Sequence, residues 1–243
     1  MNFGLIGNGY ISDRHIKAIE KVGHTITKVY DPIKCNMLDT RVKWFKDLND
    51  PDEFFKDLDW VIICSPSHLH YEHCQLSLKY PDVQIVCEKP LVLPWQPVID
   101  DDRLNIVLQL RWLNLPEKIK QVKCTMVRGE EYFDSWKGDP LKTGGLFFNL
   151  FIHYIDLALN NGAEFLGKVA LQGKQERSVD NIDIFDFDMD DLYFRMYIDI
   201  LQGKGIKPKD IFYLNWVLNK NSELYGYGSG AIEKEIRIKG ELL

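Results

Sequence analysis

The chain lacks several things that would each have pointed elsewhere. Nowhere in its 243 residues does an apolar run approach the ~18 residues of a membrane-crossing helix. Its first residues lack the basic stretch, long apolar core and small-residue cleavage pattern of a secretory signal, so the expectation is a soluble cytoplasmic protein. Cysteine is sparse: Cys35, Cys64, Cys74, Cys87 and Cys124 show no zinc-type spacing, which predicts reduced structural thiols and no metal site. Basic charge is also short, with 30 Lys and Arg against 36 Asp and Glu. The resulting net charge of -6 argues against nucleic acid as the main partner. It leaves room for an anionic ligand held by a few local cations. No internal repeat is present, and Asp100-Asp101-Asp102 reads as a solvated loop rather than a metal site.

What is present suits a packed core: 45% hydrophobic and 12% aromatic residues, in a length that allows one large domain or two small ones. Strand and helix signals alternate over the first hundred residues. Phe3–Ile6, Thr25–Tyr30, Trp44–Phe45, Trp60–Cys64, Val83–Cys87 and Asn105–Leu110 read as strands. Ile11–Val22, Pro51–Leu58 and Tyr71–Lys79 read as helices, the first with an apolar stripe of Ile11, Ile16, Ile19 and Val22. Uninterrupted apolar strands alternating with helices predict a doubly wound parallel sheet, covered on both faces. Beyond Arg111–Pro116 the pattern changes. Ile119–Val127, Val169–Gln172 and Ile182–Phe187 read as strands without regular interleaving, and Ile155–Leu159 and Leu192–Leu201 as helices. The expectation is a Rossmann domain over residues 1–112, then an α+β domain over 113–243 on a mostly antiparallel sheet.

Gly7-Asn8-Gly9-Tyr10-Ile11-Ser12 lies between the first strand and the first helix. There Gly7 permits the tight turn and Gly9 lets backbone amides approach a pyrophosphate at a helix N-terminus. Ser12 stands where the usual pattern has its third glycine. Asp31 ends the next strand, roughly 20 residues on, the spacing expected for hydrogen bonds to a ribose. A carboxylate there repels a 2′-phosphate, which favours NAD over NADP. The plainer alternative is Asp31-Pro32 as an ordinary turn.

Cys64-Ser65-Pro66-Ser67-His68-Leu69-His70 follows another buried strand, at the carboxyl edge where open α/β sheets bind ligands. His68, His70 and His73 invite a metal reading, but no acid or cysteine cluster completes such a site. Lys89 ends a strand between Glu88 and Pro90. Beside a cationic nicotinamide its pKa would fall, and it can then hydrogen-bond a substrate hydroxyl and stabilise an alkoxide.

These segments, with Gly144-Gly145-Leu146-Phe147-Phe148-Asn149-Leu150-Phe151-Ile152-His153-Tyr154-Ile155-Asp156, resemble the glucose–fructose oxidoreductase/inositol dehydrogenase/MocA family. The stretch from Arg128-Gly129 through Ser135-Trp136-Lys137-Gly138-Asp139 to Lys142-Thr143-Gly144-Gly145 is similar to UDP-N-acetylglucosaminuronate 3-dehydrogenases. The resemblance implies an NAD-dependent oxidoreductase and homo-oligomer that oxidises the C3 hydroxyl of a nucleotide sugar. It also implies NADH reoxidation by 2-oxoglutarate. Lys89 and His153 would be catalytic. The cofactor would be held by Gly7, Asn8, Gly9, Tyr10, Ile11, Asp31, Ser65, Pro66, His68, His70, Glu88 and Lys89. Asn149, Asp156, Arg128, Trp136 and Lys137 would bind substrate. Relative to the family, the chain looks cut down after Pro90, after Trp112 and between Gly167 and Phe187, and Ser222–Leu243 matches no part of it.

On an α-helix Asn149, His153 and Asp156 fall at i, i+4 and i+7, on one face. That face suits a catalytic histidine with Asp156 supporting its imidazole, or else an ordinary stripe around a core histidine. Neutral imidazole, with a reference pKa of about 6.5, suits proton removal near pH 7. Trp136 could equally belong to the core and Lys137 face solvent. Two other readings compete: another sugar or polyol dehydrogenase of the same family, and a catalytically silent NAD-binding sensor or scaffold.

Overall fold

Apolar strands without alternation bury both faces, and the computed structural model shows this. It describes residues 1–33, 41–184, 187–222 and 235–239. The first elements are β1 (Asn2–Ile6), α1 (Ser12–Lys21), β2 (Thr25–Tyr30), β3 (Lys43–Phe45) and α2 (Pro51–Phe55). Then follow β4 (Trp60–Ile63), α3 (His70–Ser77), β5 (Gln84–Cys87) and β6 (Leu104–Ile106). All six strands run parallel in the order β3-β2-β1-β4-β5-β6. Phe3, Leu5, Ile6, Val61, Ile62, Ile63, Ile85 and Val86 are completely buried. At about 1.5–3 kcal/mol for each large apolar side chain, this layer dominates the stabilisation of the unit.

The second stretch holds β7 (Gln121–Val127), α4 (Glu130–Asp134), α5 (Pro140–Thr143), α6 (Ile152–Asn160), β8 (Glu164–Ala170), β9 (Glu176–Val179) and β10 (Ile182–Asp183). Next come α7 (Met189–Leu201), α8 (Phe212–Ser222) and β11 (Glu235–Ile238). The second sheet runs β10-β9-β7-β8-β11. Only the β7–β8 ladder is parallel; the other three are antiparallel. Helix α6 packs on β7 and β8, and Phe147, Phe148, Phe151, Ile155 and Phe165 fill the core between them.

The chain forms two compact units, one of residues 1–107 with 189–210, the other of 108–188 with 211–243. Where a single division after residue 112 is expected, the first unit ends at residue 107 and takes back residues 189–210, whose helix α7 packs against α1. Beyond α7, the Ile206 carbonyl accepts from the Ile106 amide at 2.9 Å, satisfying a donor on the edge strand β6.

Several boundaries moved. The strand expected at Asn105–Leu110 stops at Ile106, and Gln109–Trp112 is a 3₁₀ turn. The strand expected at Val169–Gln172 is Glu164–Ala170, because Phe165, Gly167 and Val169 alternate inward ahead of it. Only Ile182–Asp183 of the strand expected at Ile182–Phe187 forms, with Phe185 and Asp186 outside the described residues. The unplaced tail supplies β11, paired antiparallel with β8. Cys64, Cys74, Cys87 and Cys124 are free, buried thiols, and Cys35 lies outside the described residues. Among the described residues, no helix is long and apolar enough to cross a membrane.

Candidate active site

The parallel sheet changes direction of winding between β1 and β4, and the carboxyl edge at such a switch point is where open α/β sheets bind ligands. Gly7 takes φ +91°, and a Cβ there would lie 2.6 Å from the Ser65 nitrogen. The chain itself therefore requires this glycine. Gly9 differs: a Cβ there meets nothing within 4 Å, so the protein leaves open space above its backbone. Asp31, at the end of β2, accepts the Asn8 amide at 2.7 Å on one oxygen and the Ile33 amide at 2.8 Å on the other. Each oxygen keeps a lone pair for a ribose hydroxyl. The Ser12 hydroxyl, buried, sits 2.5 Å from the Gly9 carbonyl, so the larger residue secures the turn by hydrogen bonding instead of close packing. Tyr10 is 83% exposed and Ile11 half-buried. An open glycine turn, a helix N-terminus and a carboxylate at the second strand end together fit an NAD adenosine diphosphate.

The Ser65–His70 loop and the Glu88–Pro90 strand end face the other half of this edge. His70 is 1% exposed and bridges them: Nε2 lies 2.7 Å from the Ser65 carbonyl oxygen and Nδ1 2.6 Å from that of Pro90. Burial lowers its pKa, against the pull of these two carbonyls. Ser65 Oγ is 2.8 Å from Nδ1 of His73, whose pKa burial pushes down to about 4. Glu88 is 6% exposed and accepts from Tyr193 and His15. His70 and Glu88, expected among the cofactor ligands, are thus buried on protein partners, and act by holding the loops that carry Ser65, Pro66 and Lys89. Lys89 is half-buried at the strand end, before a cis peptide to Pro90. His68 is half-buried, its carbonyl accepting from Gln96. Among the described residues, no group of three or more His, Cys, Asp and Glu could hold a metal ion.

In the second unit, Gly144 and Gly145 both adopt positive φ and end α5, and a π-helical turn at Phe147–Phe151 runs into α6. From Phe147 to Ala158, Asn149 and His153 are the half-buried positions in an otherwise buried run. The expected three-residue face therefore holds two. Asp156 is 2% exposed and accepts from Arg111 Nη2 at 2.6 Å and Nε at 2.9 Å. Burial pushes its carboxyl up and Arg111 pulls it back. It is a buried ion-pair partner rather than a substrate ligand or a support for His153. The π turn shifts Asn149 relative to Asp156, whereas His153 and Asp156 lie in regular helix.

Asn149 Nδ2 donates to Tyr132 Oη at 2.5 Å and to the Lys137 carbonyl at 3.1 Å. The Arg128 guanidinium lies over the Tyr132 ring, 5.4 Å from its centroid. So Arg128, Asn149 and the backbone of Lys137 gather around one tyrosine, and the Trp136 and Lys137 side chains are exposed. A cavity of about 390 Å³ in this unit, lined by Arg111, Leu113, Glu117, Leu157 and Asn160 among others, contains none of the expected site residues.

A family model described as an oxidoreductase family with an NAD-binding Rossmann fold, of the glucose–fructose oxidoreductase/inositol dehydrogenase/MocA type, matches residues 1–100. That stretch is similar to the family's NAD-binding domain. Among solved structures, the chain is similar to the WlbA (WbpB) dehydrogenase from Thermus thermophilus in complex with NAD and UDP-GlcNAcA. The identity is 25%, over 90% of this chain and 94% of that one, with a TM-score of 0.70. It shares its fold with WlbA from Bordetella pertussis (18% identity, 99% and 97% covered, TM-score 0.67). The same holds for a myo-inositol dehydrogenase from Corynebacterium glutamicum (14%, 98% and 99% covered, TM-score 0.63). The protein is an NAD-binding oxidoreductase whose Rossmann-like sheet and mixed second sheet match that fold.

Sequence reasoning missed His15, Tyr193, Tyr197 and Tyr132. The buried stripe of α1 is Ser12, His15, Ala18 and Ile19, sharing only Ile19 with the expected Ile11, Ile16, Ile19 and Val22. A histidine on that face, and two tyrosines four apart on α7, were the available signals.

Proposed function

We propose that the protein oxidises the C3 hydroxyl of a nucleotide sugar, UDP-N-acetylglucosaminuronate, to the 3-keto sugar. The observation that carries this reading is Lys89, held at the end of β5 on the edge that also carries the glycine turn and Asp31. The likeness to a dehydrogenase solved with NAD and UDP-GlcNAcA supports the substrate class.

NAD, when bound, supplies the hydride acceptor. Gly7, Asn8, Gly9 and Asp31 hold its adenosine diphosphate, and Ser65 and Pro66 line the edge nearer Lys89. Lys89 hydrogen-bonds the reacting hydroxyl and stabilises negative charge on its oxygen as the C–H bond breaks. His153 takes the hydroxyl proton. With NAD bound to accept the hydride, loss of hydride from C3 and of the hydroxyl proton to the imidazole would together leave a carbonyl. Asn149, aligned by Tyr132, orients the sugar hydroxyls without adding charge, and Arg128, Trp136 and Lys137 meet the nucleotide end. A second Thermus thermophilus WlbA structure contains NAD with alpha-ketoglutarate, which supports 2-oxoglutarate as the oxidant that regenerates NAD.

The test mixes purified protein with NAD, 2-oxoglutarate and UDP-N-acetylglucosaminuronate and measures 3-keto sugar and 2-hydroxyglutarate. Lys89→Ala and His153→Ala are each expected to lower kcat by ~10²–10⁴, with NAD affinity changed less than threefold. Turnover only with a polyol or a free sugar would reassign the substrate. NAD binding with no turnover on any of them would leave a binding protein.

A further inference from the structure

Glu88 is a carboxyl group almost out of reach of water, and two distant segments and the next residue's amide converge on it. Tyr193 Oη donates to its Oε1 at 2.9 Å, and His15 Nε2 lies 3.0 Å from the same oxygen. The amide of Lys89 donates to Oε2 at 3.3 Å. Behind this, His15 Nδ1 is 2.6 Å from Tyr197 Oη. The His15 ring is 0% exposed and meets Tyr193 edge-on at 5.0 Å and Tyr197 at 5.8 Å. One proton arrangement satisfies every atom with a neutral ring: Tyr197 donates to Nδ1, and Nε2–H and Tyr193 both donate to Glu88.

A buried carboxylate costs several kcal/mol unless well paired, and apolar packing would have served stability equally well. What the charge adds is direction. Its two oxygens address opposite neighbours, helix α7 and α1 on one side and the backbone of Lys89 on the other. His15 sits one turn into α1, whose first turn follows the glycine loop. The cluster therefore ties the backbone of Lys89 to the helix above the pyrophosphate turn.

We infer that Glu88, gripped by Tyr193 and His15, is the positioning residue for Lys89, so that α7 sets the placement of the reactive lysine. This inference rests on the proposed role of Lys89 in hydride transfer. It gives α7, which the sequence places about a hundred residues downstream, a part in the chemistry of the first unit.

Tyr193→Phe and Tyr197→Phe make the test, since each deletes one hydroxyl and leaves its buried ring in place. The Tyr193 hydroxyl bonds Glu88, and that of Tyr197 bonds His15. Two readouts are taken on the NAD-bound full chain: the acylation rate of Lys89 by an amine-directed reagent, mapped by mass spectrometry, and kcat with KM. Tyr193→Phe is expected to change the Lys89 labelling rate at least threefold and to lower kcat about tenfold, with KM within twofold. Tyr197→Phe, at a similar loss of Tm, is expected to change both less than twofold. Equal effects from the two variants, or no change in Lys89 labelling in Tyr193→Phe, would overturn the inference. If Lys89 labelling changes while the parent protein turns over no sugar, positioning stands and the proposed reaction falls.

Discussion

The two units treat their functional side chains differently. In the first, each residue near the cofactor edge has a buried neighbour fixing it. Asp31 holds the glycine loop, His70 joins two loops through carbonyls, and Glu88 is locked by Tyr193 and His15. In the second, Arg128 follows β7, Trp136 and Lys137 are exposed in the turn between α4 and α5, and Asn149 sits in a π turn. A surface that reads one invariant ligand gains from preorganisation, because no binding energy is then spent on ordering it. A surface built from turns and short elements changes more readily by substitution, and under the proposed reaction substrate specificity would be set there.

Three experiments would sharpen or break that contrast. The largest effect concerns the rigid element of the second unit. Asp156→Ala leaves Arg111 without its buried partner, and the expected loss is about 3 kcal/mol, the lower end for broken buried pairs because Arg111 is partly hydrated. Chemical denaturation measures that loss, and kcat per folded molecule should hold. A collapse of kcat at full stability would return Asp156 to the substrate-binding set.

The next probes the first unit through pH. His73 titrates near 4 when folded against about 6.5 unfolded, so the unfolded chain binds the extra proton between those values. Its contribution is fully present above pH 6.5 and lost as pH falls toward 4, to at most about 3 kcal/mol. His73→Gln should flatten that part of a stability–pH curve. An unchanged slope would mean that the Ser65 loop is less tightly braced than its geometry indicates.

The smallest is a pair of glycine substitutions. Gly7→Ala forces a Cβ against Ser65 at positive φ and should cost about 1–2 kcal/mol of stability along with NAD affinity. Gly9→Ala meets no protein atom, so Tm should move less than 1 °C while NAD affinity falls several-fold. Calorimetric titration with NAD separates the two. If Gly9→Ala binds NAD as tightly as the parent, the pyrophosphate does not approach that backbone.

The first unit was legible because its signals are local. Continuous apolar strands, a glycine turn and an acid at the next strand end occupy short stretches, and each sits where the pattern places it. The second was less so. Glu164–Ala170 puts a glycine among its inward residues and charges on its other face, and a π turn breaks the periodicity that linked Asn149 to Asp156. Least legible was anything joining distant segments. Nothing near His15 or Glu88 announces that their partners come from α7, because a buried polar contact leaves its mark only in the residue opposite.

The return of residues 189–210 to the first unit also has a consequence for biosynthesis. A ribosome adding roughly 5–20 residues per second completes residue 107 and then takes about 5–20 s to reach residue 210. Throughout that interval the nascent parallel sheet lacks the helix that covers His15 and Glu88 and the strand-edge acceptor at Ile206. The nucleotide-binding unit starts first on the polysome and is finished only after most of its neighbour has been translated.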